Sequence, residues 1–143
     1  MSTIHNTGAA RQSVWPVRVY YEDTDAGGVV YYANYLRFCE RARTERLRAL
    51  GVDQPQLLAE QNIVFVVSRV EADYLKGAEL DDALSVISTV ISIGAATLRF
   101  QQRVMRGEER LFEGLFTIAC VDWKRRRAVR IPDALRSIFE SDA

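Results

Sequence analysis

Three carboxylates fall within four residues, Glu22-Asp23-Thr24-Asp25, and a glycine pair, Gly27-Gly28, follows at once. Crowded carboxylates repel one another, and with partial burial that repulsion can hold one of them as a general base or nucleophile near neutral pH. The glycines admit backbone angles closed to other residues and let a ligand or another chain come close. Beyond them the pattern turns helical, so the amides from about Gly28 to Tyr32 are expected to be unpaired N–H donors at a helix start. Such donors, with the helix dipole, can polarise a carbonyl and stabilise the oxyanion of acyl transfer. The same residues also read as an ordinary acidic turn with an N-capping aspartate. Spacing does not choose between Asp23 and Asp25.

Other catalytic sets lack their parts. There is no GxSxG elbow, and a Ser-His-Asp or Cys-His arrangement would have to recruit the single histidine, His5, from the N-terminal arm. Neither HExxH nor paired CxxC occurs, so no metal is expected. A Walker loop and a GxGxxG are also missing, which leaves nucleotide hydrolysis and hydride transfer unsupported and no cofactor expected. Carboxylate chemistry remains.

The elements that must hold this turn follow from residue periodicity. Residues 14–21 read as a strand, with Pro16 near its start. From about residue 33 to 50, Tyr35, Phe38, Cys39, Ala42, Leu47, Ala49 and Leu50 fall on one half of a helical wheel, and Gly51 is the stop signal. Arg43 and Arg46 project from that apolar face. Ion pairing with Glu40 or Glu45 at helical spacing is the expected use, and a subunit contact is the other. A short helix at 54–60 precedes strand-like stretches at 63–75, 84–93, 98–106 and 111–123, with turns at Gly94-Ala95-Ala96 and Arg106-Gly107-Glu108-Glu109. Pro132 suits the first turn of a terminal helix to about residue 139. Strand, long helix and a four-strand antiparallel meander predict α+β architecture, with a curved sheet wrapped on the helix. Residues 1–13 read as a mobile arm and 14–143 as one domain. One helix covers one face only, so a homo-oligomer is expected.

Bulk properties agree with a soluble enzyme-sized domain of 143 residues. Nineteen basic and nineteen acidic residues cancel, which argues against nucleic acid as a partner. No apolar run approaches the roughly 20 residues of a membrane span, and the N-terminus does not resemble a secretory signal. Cys39 and Cys120 each lie in an apolar pattern and read as reduced, buried side chains, so the cytoplasm is the expected location.

The run Val17-Arg18-Val19-Tyr20-Tyr21-Glu22-Asp23-Thr24-Asp25-Ala26-Gly27-Gly28-Val29-Val30-Tyr31-Tyr32-Ala33-Asn34-Tyr35 closely resembles the signature of the 4-hydroxybenzoyl-CoA thioesterase-like branch of the hotdog superfamily. Glu40-Arg41-Ala42-Arg43-Thr44-Glu45 and Leu80-Asp81-Asp82 make the chain similar to the Tol-Pal-associated acyl-CoA thioesterases (the YbgC type). The similarity covers about residues 15–139. It implies a hotdog fold, a long central helix wrapped by a five-stranded antiparallel sheet, with active sites at a dimer interface and dimers often forming tetramers. It implies Asp25 as the catalytic carboxylate and the backbone N–H of Tyr32 as the carbonyl-polarising donor, with Gly28, Val29 and Tyr31 beside the substrate. The implied substrate is an acyl-CoA, short-chain aliphatic or aromatic. Acyl carrier protein is a further partner and the inner-membrane periphery a further location. Two positions depart from the pattern. Tyr32 stands where many relatives carry histidine, which leaves its backbone amide as the working group. Gly77 stands where relatives often carry proline, which should loosen that loop.

Lys124-Arg125-Arg126-Arg127, with Arg130, is the densest charge cluster. It reads either as a solvated strand end or as a clamp for CoA phosphates, for which arginine geometry is suited. A non-catalytic acyl-CoA or acyl-carrier-protein scaffold and a hotdog dehydratase are the competing functions. The dehydratases typically use a histidine, and His5 lies outside the matching run.

Overall fold

Apolar residues at helical spacing give one long helix, and two-residue alternation gives the strands that surround it. The computed structural model describes residues 11–142. Strand β1 (Gln12–Arg18) leads through a 3₁₀ turn at Tyr21–Asp23 to α1 (Tyr32–Ala49) and α2 (Gln54–Gln61). Strands β2 (Ile63–Tyr74), β3 (Ala83–Ile93), β4 (Thr97–Arg106) and β5 (Glu109–Asp122) follow, then a two-residue β6 (Arg127–Ala128) and α3 (Asp133–Asp142). The first strand ends before Tyr21 because the chain tightens there into the 3₁₀ turn. Gln12 and Ser13, expected in the mobile arm, belong to β1; the rest of that expected arm, save Arg11, lies outside the described residues, and His5 with it.

The sheet is antiparallel in the order β1-β3-β4-β5-β2, with β6 beside β5. The expected α+β hotdog is therefore present, but the four later strands do not form a meander. The chain leaving β2 crosses the end of the sheet. Leu75 and Lys76 donate to Leu111 O near the start of β5, and Asp81 then donates to Val19 O just past β1. That crossing places β3 next to β1 and leaves β2 at the edge. Alternation specifies strands; it does not specify which strand each one meets.

Helix α1 buries Tyr35, Phe38, Cys39, Ala42 and Leu47 against the even-numbered residues of β3, β4 and β5, among them Val86, Phe100, Val104, Phe112 and Phe116. Its end is fixed by Gly51 at φ +88°, where Gly51 and Val52 donate to Arg48 O and Leu47 O, the Schellman pattern. The two arginines of its apolar face do not pair with Glu40 or Glu45. Arg43 is buried and donates to Gln102 Oε1 at 2.7 Å, and Arg46 pairs with the buried Asp142 of α3. Glu45 pairs instead with Arg48, and Glu40 accepts from Thr44. The fold brings a distant buried acceptor to each arginine, Gln102 to Arg43 and Asp142 to Arg46, and those contacts take the place of the helical pairs.

The interior allows no extra atoms at Gly114. A Cβ there would lie 2.7 Å from Phe116 Cε1 and 3.0 Å from Phe112 Cε1, and Phe112 is itself stacked on Tyr35 at 5.5 Å. Gly114→Ala is expected to lower stability by about 1–3 kcal/mol through overpacking, read from urea unfolding midpoints. Unchanged stability would show that the rings yield freely.

Candidate active site

The acidic turn joins β1 to α1, and its two aspartates have opposite environments. Asp23 is 5% exposed. Its Oδ2 accepts from Tyr20 N and its Oδ1 from Asn34 Nδ2, both at 2.9 Å. Its carbonyl accepts from Tyr31 N. Asp23 thus ties the 3₁₀ turn to the first turn of α1, with both carboxylate oxygens engaged.

Asp25 is exposed on the loop that Asp25 N closes by donating to Val29 O. One oxygen, Oδ1, accepts from Gly27 N at 2.8 Å, and the other has no donor among the described residues. A Cβ at Gly27 would lie 3.3 Å from Asp25 Oδ1, so a larger residue there would press on that carboxylate. Gly28 takes φ +85°, which lets the chain turn back toward the helix.

The donors expected from Gly28 to Tyr32 are fewer than the sequence suggested. Gly28 N donates to Asp25 O, Val30 N to Ala78 O and Tyr31 N to Asp23 O, because the loop folds back on itself and on residues 77–79. Val29 keeps a backbone N–H with no acceptor among the described residues, and so does Tyr32, the first residue of α1. Its positive helix end is undiluted by any acidic side chain in the first turn of α1.

An aromatic wall flanks this amide. The Tyr31 and Tyr32 rings lie 4.9 Å apart, Tyr32 meets Tyr74 edge-on at 5.9 Å, and Tyr74 continues to Tyr35 and Phe112. The Tyr31 phenol is pushed above its ordinary range chiefly by the Tyr32 hydroxyl, and those of Tyr35 and Tyr74 chiefly by burial. These phenols stay protonated at neutral pH and form walls. Tyr74 and Asn34 carry no chemical signature in sequence, and only the fold brings them here. Burial pushes the Cys39 thiol up to about 12 and raises that of Cys120, so neither is a nucleophile at neutral pH. Among the described residues no group of three or more His, Cys, Asp or Glu converges on a metal position, and no helix is long and apolar enough to cross a membrane.

The loop 75–82 backs the turn, and it is tied down despite Gly77. The Tyr35 hydroxyl donates to Lys76 O and accepts from Ala78 N. Arg106 reaches Asp82 Oδ2 at 2.7 Å and Glu109 Oε1 at 2.8 Å, and Lys76 also holds Glu109.

The basic run, by contrast, is not beside Asp25 in the same chain. Lys124, Arg125, Arg126 and Arg127 are exposed on the turn after β5, where Arg126 lies 3.6 Å over the Trp123 ring. Tyr74, at the aromatic wall, pairs with Phe112, whereas Asp122 pairs with Ile63 at the far end of β2. The ten residue steps from Phe112 to Asp122 span roughly 33 Å of extended strand.

Residues 19–139 match the model of the thioesterase-like superfamily. The chain belongs to that superfamily. In enzyme class it is a thioester hydrolase. Among its thioesterase-like relatives, the acyl-CoA thioesterase YbgC of Haemophilus influenzae is 49% identical over 125 residues, covering 87% of this chain and 92% of that protein. A 1,4-dihydroxy-2-naphthoyl-CoA hydrolase of Thermosynechococcus vestitus is 33% identical, covering 86% and 85%. The crystal structure of a probable thioesterase from Bartonella henselae superposes with a TM-score of 0.80 at 31% identity, covering 85% of this chain and 99% of that one.

The ion cluster behind the turn sets a pH dependence. The Asp82 carboxyl is held below its ordinary range chiefly by the Glu79 N–H and then by Arg106, and that of Glu109 chiefly by Lys76 and then by Arg106. Their stabilisation is therefore present above the unfolded-state values and lost as pH falls through the folded ones, below about pH 4. Denaturation measured from about pH 5 to about pH 3 should show wild type losing stability more steeply than Asp82→Asn/Glu109→Gln. Parallel curves would mean that the cluster does not hold the loop.

Proposed function

We propose that the protein hydrolyses acyl-CoA thioesters to free acid and CoA, with Asp25 as the catalytic carboxylate. The observation that carries this reading is a carboxylate with one oxygen unengaged, set just before a helix whose first N–H, that of Tyr32, has no acceptor among the described residues. A thioester carbonyl placed on the Tyr32 N–H is polarised there, and Asp25 either attacks it, forming an anhydride that water then cleaves to the free acid, or takes the proton of a water that attacks it. The electron pair of the broken C–S bond leaves as CoA thiolate. Gly28 and Tyr31 contribute loop shape, since their amides are engaged, while Val29 and the tyrosine rings line the approach. The names of the Haemophilus and Thermosynechococcus relatives support the acyl-CoA class, aliphatic or aromatic.

A homodimer belongs to the same reading. Among the described residues strand β2 pairs with β5 alone, and it exposes Val67, Val70 and Tyr74 along its length. Such an edge favours pairing with a second copy. Antiparallel pairing of β2 with itself would bring the start of one copy's β2 to the Tyr74 end of the other. Asn62 at that start binds Asp122, and Trp123 N donates to Asn62 O, so the Lys124–Arg127 turn would travel with it. The CoA phosphates would then meet the basic turn of the second copy.

A panel of short, medium, long and aromatic acyl-CoAs, run with wild type and Asp25→Asn, tests the reading. Hydrolysis by wild type and a kcat loss of about 10²–10⁴-fold in the variant are expected. Equal rates would remove Asp25 from the chemistry, and no turnover in either would mark a binding scaffold.

A further inference from the structure

Arg43 carries a charge that the thioesterase reading does not use. It is 8% exposed, its guanidinium sits 4.6 Å from the centroid of the Phe116 ring, and among the described residues it makes a single hydrogen bond, to Gln102 Oε1. Gln102 is fully buried and is itself held, with Nε2 donating to Cys39 O and Ser88 Oγ at 2.9 Å each. A neutral amide therefore fixes where the guanidinium points, and its charge is offset only by the Phe116 ring face and, without contact, by Glu40. Guanidinium has five N–H donors. Four of them have no acceptor among the described residues, and no carboxylate there comes within 4.0 Å. A desolvated cation without an anion is costly, and truncating this side chain is not the only way to remove that cost.

The space beside it is shaped for an anion with an apolar body. Arg43 lines a cavity of about 110 Å³ whose walls include Leu47, Leu98, Phe100 and Ile118. At about 30 Å³ per water, this admits a group of roughly three to four heavy atoms. Thr44, Gln54 and Phe65 line both this cavity and a neighbouring groove of about 910 Å³ between α1, α2 and the start of β2, which Val52, Leu57 and Leu58 also line. Glu40, exposed at the rim and accepting from Thr44, is the carboxylate on the cavity's own lining and opposes entry of an anion, while Asp53 and Arg48 both line the groove.

We propose that this cavity binds a carboxylate on Arg43, with the ligand's alkyl chain lying in the adjoining groove. The ligand is a free fatty acid or an acyl group with a carboxylate at its far end, and either would complete the arginine's hydrogen bonds. Binding itself does not depend on the thioesterase reading.

Octanoate and octanol titrated into wild type, followed by backbone amide NMR shifts, test this without any variant. Octanoate is expected to saturate at the cavity residues and to bind about tenfold or more tightly than octanol, the value of a charge-assisted hydrogen bond. Arg43→Met should abolish the difference, and Glu40→Gln, at an exposed position, should tighten octanoate. Equal affinities, no saturable binding, shifts confined to the Asp25 turn, or indifference to Glu40→Gln would overturn the proposal. Given that binding, comparing suberyl-CoA with octanoyl-CoA distinguishes the sources. An Arg43-dependent preference for suberyl-CoA assigns the site to a distal carboxylate, and equal turnover assigns it to the free acid.

Discussion

The Asp23 carboxylate lies between two segments that would otherwise meet only through a loop. One oxygen holds Tyr20 N at the end of the first strand, and the other holds Asn34 in the first turn of α1. Buried and accepting two hydrogen bonds, it is costly to remove, because each donor would be left without a partner. With those ends fixed, the loop between them is closed by Asp25 N on Val29 O, Gly28 N on Asp25 O and Tyr31 N on Asp23 O, and the Asp25 side chain is left exposed. The two carboxylates of the turn divide the work: one locates the helix start, and the other is left available in front of it.

A second buried polar set fixes the helix from its other end. Arg43, Gln102, Ser88 and the Cys39 carbonyl link α1 to β4 and β3 through the middle of an otherwise apolar interior. Such a network constrains how far α1 can slide over the sheet, since a shift would leave its members unpaired. Arg46 and Asp142 add a contact between α1 and the last helix. The position of the Tyr32 amide thus depends on residues along the whole of α1 and on partners far away in sequence.

What could be read from the sequence was local. The acidic turn, the glycine pair, the helix start and the glycine that ends α1 are set by neighbours within a few residues, and each is where spacing put it. The hairpin at Gly107, with φ +61°, is of the same kind. The partners were not legible. Asn34 is eleven residues from Asp23, Gln102 is 59 from Arg43 and Asp142 is 96 from Arg46, so no helical or strand period links them. Sheet order failed for the same reason, because the crossing loop at residues 75–82 is specified by backbone acceptors at Leu111 and Val19 and not by side-chain pattern. The amides of Gly28 and Tyr31 were misjudged because a helix start predicts free N–H groups and takes no account of a loop that folds back to accept them.

The account turns on a thioester carbonyl held by the Tyr32 N–H beside Asp25. Isotope-edited infrared spectroscopy of a ¹³C-carbonyl acyl-CoA bound to Asp25→Asn observes that carbonyl directly. A carbonyl band moved to lower frequency than in free solution is the predicted result, because a donated hydrogen bond at a helix N-terminus weakens the C=O bond. A band unmoved from its position in water, with the ligand demonstrably bound, would contradict the account.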